Sequence, residues 1–414
     1  MAQIEQTNIQ ILYDQRIQRV RDAVAGKEPD HVPWTPVVGY FYANGYGLSP
    51  RKAMEDPSLL LPNVRSFLEE YYPDLMMPPV YPSIAGLEKA GSMFIEFPEP
   101  ETDPPNDHGH QQLDADYMEE EEYAELINNC GQFLLTKVAP RRYRALKGLA
   151  AFPILSLCQI NNSALAAMAN PEVAEALTCM LESAQLMARD LQKSLEAIRI
   201  AGELGFPLLT SVVLGHPYDN FACSVRGFVN TLMDMYSSPE DLSKSIDLYG
   251  EMMWPQLEGM AKANAGGFAF LPLTSPGDKF MSPENFDKFY WPWLKRIVEM
   301  AAENDVTPIL VFEGNCDTRV ERLMELPPQK TIVQFESADL ARAKKMLHGI
   351  ACVAGGMDNS LLMQGTPEEV YDKTQRLLDE LAPGGGYIMT TSMELEDAKH
   401  ENMKMWRETT WAWH

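Results

Sequence analysis

The stretches PILVFEGNCD (308–317), TIVQFESAD (331–339), IACVAGGMDN (350–359) and YIMTTSMELE (387–396) repeat one arrangement: a short apolar run of strand character that ends in polar residues. Helix-type sequence separates them, for example ADLARAKKMLHG and TPEEVYDKTQRLLDELAPGGG. Strands alternating with helices imply parallel pairing through crossovers. In a parallel α/β barrel the reactive groups lie at the C-terminal ends of the strands. The chain thereby marks its own candidate residues: Glu313, Asn315, Asp317, Glu336, Asp358, Asn359, Ser392 and Glu394.

Upstream, further strand candidates lie in 29–41, 74–82, 149–159, 208–220 and 266–282. Helical patterns cover 8–27, 49–72, 171–202, 221–264 and 283–304. Eight or nine strands predict an α/β fold, a (β/α)8 TIM barrel in one domain over 1–414, with an N-terminal helical extension (1–28). Residues 96–124 are rich in Pro, Asp and Glu and poor in apolar side chains. They read as an acidic loop inserted over the barrel mouth or as an exposed hairpin.

Of the 414 residues 45% are hydrophobic, enough for a real core, and the net charge is −25. With no Lys/Arg run, nucleic-acid binding is not expected. No signal core or stretch of 18 apolar residues is present, so a cytoplasmic protein without a membrane span is expected. The six scattered cysteines form no CxxC pair and read as buried, reduced thiols. There is no GxGxxG after a strand, Walker loop, GxSxG elbow or HExxH, which lowers the weight of dinucleotide, phosphoryl and serine-hydrolase chemistry.

FEGNCD (312–317) is the sharpest constellation. A carboxylate inside an apolar strand end is costly unless paired, bonded or metal-bound, and burial raises its pKa until it can donate a proton. Glu313 is therefore the expected catalytic acid or metal ligand, with Asp358 and Glu394 as catalytic partners. Glu336 and Asp317 are the further candidates for a metal. Asn315, Asn359, Asp278 and His216 are expected to bind substrate, while Trp34, Tyr40 and Tyr42 would line a pocket for a planar molecule. For each of these a purely structural role stays open: a cap, a loop staple or core packing.

The segments RVRDAVAGKEPDHVPW (19–34), FVNTLMDMYSSPEDL (228–242), FMSPENFDKFYWPWLK (280–295), PILVFEGN (308–315) and DLARAKKMLHGIACVAGGMDNSLLMQGTPEEV (339–370) are each loose signals. In this order, followed by GGGYIMTTS…AKHENMKMW (384–406), the chain resembles the uroporphyrinogen decarboxylase superfamily, which includes corrinoid-linked methyltransferases. That resemblance implies a (β/α)8 barrel. Porphyrinogen decarboxylases carry an arginine-rich segment of the type MRQAGRY where this chain has WTPVVGYFYANGYG (34–47), without arginine. Coenzyme M methyltransferases bind zinc through an HxC pair and a later Cys; the matching positions here are Val311, Glu313 and roughly Ser392.

What the resemblance then implies is the O-demethylase branch: a methyltransferase that moves a methyl group from a small, methoxylated aromatic donor to the cobalt of a corrinoid (cobalamin) on a separate corrinoid protein. Loss of a phenoxide calls for a buried acid or a Lewis-acidic metal at the ether oxygen. Glu313 could hold the proton or supply oxygen to a zinc. The alternatives are a decarboxylase acting on a smaller acid and a non-catalytic tetrapyrrole-binding barrel. A homodimer is a further expectation from the superfamily.

Overall fold

The computed structural model describes residues 2–99, 108–158 and 162–413; the centre of the acidic excursion, 100–107, lies outside them. A short antiparallel hairpin pairs β1 (Ile95–Glu96) with β2 (Gln111–Gln112). Six parallel strands follow in sequential spatial order: β3 (Val212–Val213), β4 (Phe268–Leu273), β5 (Thr307–Asn315), β6 (Thr331–Ser337), β7 (Ala351–Met357) and β8 (Tyr387–Thr391).

Two further extended segments complete the ring. Residues 33–38 run parallel to β8 through the Trp34–Met389 bridge, with Thr35 N donating to Met389 O (3.0 Å) and Met389 N to Pro33 O (2.9 Å). Asp74 N donates to Trp34 O (2.9 Å), and Met76 exchanges backbone bonds with Pro207 and Leu209 (both 2.8 Å). Ser211 N then reaches Phe268 O (2.9 Å) on β4. The result is an eight-staved closed barrel. Pro33, Pro36, Pro78 and Pro79 fall in or beside the first two staves. Proline has no N–H for a ladder, which explains why these staves pair by single bridges.

Each stave sends an apolar side chain into the lumen, including Val37, Leu75, Leu209, Phe268, Ile309, Ile332, Cys352 and Ile388. The same cluster holds Val20, Ala23 and Val24 of helix α1 (Ala2–Val24), which plugs one end. On β5 the neighbours Leu310 and Phe312 face the helical layer instead, as the two-residue period requires. The other helices used below are α2 (Pro171–Glu203), α3 (Pro217–Phe221), α4 (Phe228–Ser237) and α5 (Pro367–Leu381).

One strand expectation fails. LAAFPILSLCQ (149–159) is apolar enough for a strand, yet Arg144–Ala151 and Ile154–Leu157 are 3-10 turns. Leu146 and Leu149 pack with Ala176 of α2 outside the barrel. The expectation of buried thiols holds only for Cys316 and Cys352: Cys130 and Cys179 are half-buried, Cys158 and Cys223 exposed, and all six are free. Among the described residues no helix is long and apolar enough to cross a membrane.

Candidate active site

At the C-terminal ends of the third to fifth staves lies an open cleft of about 710 Å³. Glu313 is on its wall. Ile309 and Val311 face the lumen, and the strand period carries Glu313 onto the same face two residues on, where the apolar interior meets the mouth. The side chain is half-buried. Burial, and after it the charges of Asp219 and Glu336, push its carboxyl up to about 7.

Asp219, in the first turn of α3, lines the same cleft and is 7% exposed. It accepts hydrogen bonds from Tyr290 Oη (2.5 Å) and Ser275 N (3.1 Å). Burial outweighs these bonds and raises its pKa. Cys223, one turn after Asp219 on the same helical run, also lines the cleft; solvent reaches it, yet the surrounding protein, and next Asp219, push its thiol up to about 11. The apolar wall is aromatic: Phe94, Phe228 and Phe280, the last two edge-to-face at 5.1 Å. Arg142 is the cationic lining residue, stacked 3.7 Å over Phe94 and donating to Cys223 O (3.2 Å). Gln112, Leu113 and Asp114, which begin the return limb of the acidic excursion, also line the cleft.

His216 belongs to this wall, but as a structural group. Nδ1 accepts from Tyr218 N (3.2 Å), Nε2 donates to Tyr290 O (3.0 Å), and the ring stacks on Tyr290 at 3.7 Å. Both nitrogens are committed in the neutral form, and burial lowers its pKa to about 3. It caps α3 and so positions Asp219.

Several expected site residues are elsewhere. Trp34 and Tyr42 are fully buried core: Trp34 packs edge-on against Trp406 at 4.9 Å, and Tyr42 Oη donates to Met77 O (2.9 Å). Neither lines the cleft: the chain turns into a short helix, Phe41–Asn44, directly after the first stave. Asp278 accepts from Thr318 N (3.1 Å) and Thr318 Oγ1 (2.6 Å). Asn315 donates to Asp317 (3.1 Å), and Asp317 accepts from Asp339 N (2.8 Å). These three staple neighbouring loops. Asp358 is exposed and paired with Lys373 of α5 (3.0 Å). Asn359 donates to Met393 O (3.2 Å) and Glu394 O (2.9 Å), and accepts from Ser392 Oγ (3.4 Å).

Of the expected metal trio of Glu313, Glu336 and Asp317, the last two are likewise occupied with structure: Glu336 accepts from Gly314 N (2.5 Å) and Asp317 from Asp339 N (2.8 Å). Among the described residues no group of three or more His, Cys, Asp or Glu side chains is placed to hold a metal ion. The donor set does not fit zinc.

A second polar cluster lies by the first stave. Tyr40 stacks on Tyr81 at 4.5 Å and its hydroxyl meets His110 Nδ1 at 2.6 Å. Glu394 folds over Gly39, where any Cβ would collide with it. It is reached by solvent yet hemmed in by protein, as befits a group in a concave mouth, and burial, then Glu396, raises its pKa. The charges that raise Glu313 are different ones, so the two acids titrate in separate surroundings.

Comparison with known proteins agrees with this architecture. Residues 163–413, more than half of the chain, match the family model described as uroporphyrinogen decarboxylase (URO-D). The chain belongs to the uroporphyrinogen decarboxylase family. Uroporphyrinogen decarboxylase of Chlorobium phaeobacteroides is 23% identical over 215 residues, 51% of this chain and 56% of that protein. The methylcobamide:CoM methyltransferase MtbA of Methanosarcina acetivorans is 24% identical over 169 residues, 39% of this chain and 49% of that protein. The chain thus spans about half the length of these family relatives. A methyltransferase from Methanosarcina mazei has the same fold, with a TM-score of 0.60 at 14% identity, over 95% of this chain and 98% of that one.

Asp219 is legible in the sequence beside His216, because LGHPYDN (214–220) follows a strand end just as GNCD does. Arg142 and Phe94 carry no such signal, because they enter the cleft from segments outside the barrel staves.

Proposed function

We propose that this chain catalyses methyl transfer from a small methoxylated aromatic to a corrinoid carried by a separate protein. The observation that carries the reading is Glu313: a half-buried carboxyl held near 7, at a strand end, in a cleft walled by Phe94, Phe228 and Phe280. The aromatic wall suits a flat ring. The corrinoid's reduced cobalt supplies the nucleophile that takes the methyl carbon. As the methyl carbon–oxygen bond breaks, its electron pair stays on oxygen, and the Glu313 carboxyl gives its proton to that oxygen, so the leaving group departs as a neutral phenol. His216 and Tyr290 hold Asp219 in place, and its charge adds to burial, the larger cause, in favouring the protonated Glu313.

The test is Glu313→Gln, assayed for cobalt methylation against a panel of methoxyarenes with a corrinoid protein. Turnover is expected to fall by about 10²–10⁴ with an unchanged circular dichroism spectrum; full activity rejects the assignment.

A second reading has one observation in its favour. Arg142 gives the cleft a cation, which suits the reaction named for the Chlorobium phaeobacteroides relative. A carboxylate held there could lose carbon dioxide, with Glu313 protonating the carbanion. Carbon dioxide release in the absence of any corrinoid protein decides for that reaction.

A further inference from the structure

Between β5 and β6 the ladder is regular up to Phe312 opposite Phe335, and it resumes with Asn315 opposite Ser337. Two residues of β5, Glu313 and Gly314, therefore face one residue of β6, Glu336. This is a bulge, uncommon between parallel strands, and bulges beside active sites re-aim a side chain out of the regular pleat. Gly314 permits it: at φ +74° the backbone is left-handed, a region glycine enters without steric cost. A bulge leaves a residue out of the ladder, and its N–H then needs another acceptor. Gly314 N finds one in the Glu336 side chain (2.5 Å). On the other side Asp278 N donates to Asn315 O (2.7 Å), and Cys316 Sγ to Glu313 O (3.5 Å).

That bond explains an acceptor at position 336 but not a charge. A glutamine oxygen would take the Gly314 N–H equally well. The carboxylate stands instead beside Glu313, on a chain of net charge −25, and among the described residues no cation pairs with it. Other rim acids are arranged differently: Asp358 is paired with Lys373 (3.0 Å), and Asp278 lies 3.5 Å from Arg319. The groups around Glu313 are Asp219 of α3, Tyr290 bonded to it, Cys223 on the turn after α3, and Cys316. None of these is a cation, and Arg142 is not among the charges that act on Glu313. An unpaired like charge, fixed by a backbone bond next to an acid that must keep its proton, has a use through that acid.

We propose that Glu336 is a positioning residue for Glu313: through Gly314 it clamps the bulge that aims the acid, and it fixes a negative charge beside it. Glu336 itself does not line the cleft, so it acts only through its neighbour.

This role rests on Glu313 as the proton donor, and two readouts separate them. The first needs no corrinoid protein: titration of the Glu313 carboxyl by infrared spectroscopy, its band assigned by loss in Glu313→Gln. Glu336→Gln keeps the acceptor and removes the charge. Its midpoint should fall below the wild-type value of about 7 yet stay above the ordinary 4.5, since burial and Asp219 remain. The second readout is kcat/KM for cobalt methylation against pH. The alkaline limb should move to lower pH in Glu336→Gln and Glu336→Ala alike. Only Glu336→Ala, which also strands the Gly314 N–H, should lose roughly tenfold to a hundredfold on the acid side of both limbs. Should Glu336→Ala not fold, Gly314→Ala, whose Cβ meets nothing within 4 Å, disturbs the bulge alone and should show the same loss. A midpoint and limb unmoved in Glu336→Gln, or Gln and Ala variants that behave alike, would overturn the proposal and leave the reaction standing. A midpoint that falls in a chain that methylates cobalt from no methoxyarene would uphold the hold of Glu336 on Glu313 and reject the reaction.

Discussion

Glu313 illustrates how a strand converts position into chemistry. Its ordinary pKa of 4.5 becomes about 7 because water is largely excluded and two carboxylates stand near. A reaction that needs the protonated form should run at a level rate below about pH 7 and decline above it. Asp219→Asn removes a like charge, lowers the Glu313 pKa and should bring the decline on at lower pH, read as a shifted alkaline limb in kcat/KM. An unmoved limb would detach Asp219 from the acid. The same shift has a stability sign. Between 4.5 and 7 the folded chain holds a proton that the unfolded chain has released, so stability is lost as pH rises through this window. Glu313→Gln should therefore melt higher than the wild type at pH 8, by at most about 3 kcal/mol, and equal it at pH 4. Glu313 was legible because an unbroken apolar run, residues 308–312, precedes it and ends there in polar residues. Trp34 and Tyr42 were not placed correctly, since an aromatic near a strand end looks the same whether it faces a pocket or a core.

At the level of elements, the cleft depends on the turn between α3 and α4. Residues Ala222–Arg226 form one π-helical turn, and Gly227 follows at φ +83°, where a Cβ would meet Asp116 Oδ1 at 2.0 Å. Arg226 locks this turn: Nε donates to Asp234 Oδ2 (2.7 Å), Nη1 to Met118 O (3.0 Å), and Tyr123 Oη to the same Asp234 oxygen (2.6 Å). Asp234 is 1% exposed. Arg226→Met strands that carboxylate in the interior and should cost about 3–5 kcal/mol in urea unfolding, with Cys223 becoming more reactive to thiol reagents as its turn loosens. Nothing local in the sequence announces this pair, because its members become partners only when α3 and α4 fold back on each other. The reading of 149–159 as a strand failed because an apolar run does not say what, if anything, covers it: here Leu149 packs on α2, while Leu155 and Leu157 are exposed.

Over the whole molecule, closure of the barrel is completed by α1. Arg19 joins Asp30 (2.7 Å) and the buried Asp74, whose Oδ2 accepts from Trp34 N (2.8 Å). One carboxylate therefore binds the plug to the first two staves, the ones that prolines leave with the fewest ladder bonds. A chain starting at residue 25 uncovers Val37, Leu75, Leu209 and Ile309 at the barrel floor. It should lose its cooperative thermal transition and bind a hydrophobic dye; an unchanged melting temperature would show that α1 is dispensable.

The sequence by itself determined the barrel, the family and the acid at the end of β5. These follow from local periodicity and from motif order along the chain, which survive without knowledge of any contact. Only the tertiary structure decided which polar residues share a cleft. It put Asp219, Cys223, Phe228 and Arg142 around Glu313, and it sent Asp278, Asn315, Asp317, Asp358 and Asn359 into loop staples and ion pairs. The physical reason is that strand ends alone do not say which of their polar groups a neighbouring loop will claim. Hydrogen bonding at the rim settles that competition, and each carboxylate satisfied by backbone N–H groups is withdrawn from chemistry, while the one left among apolar neighbours keeps its proton.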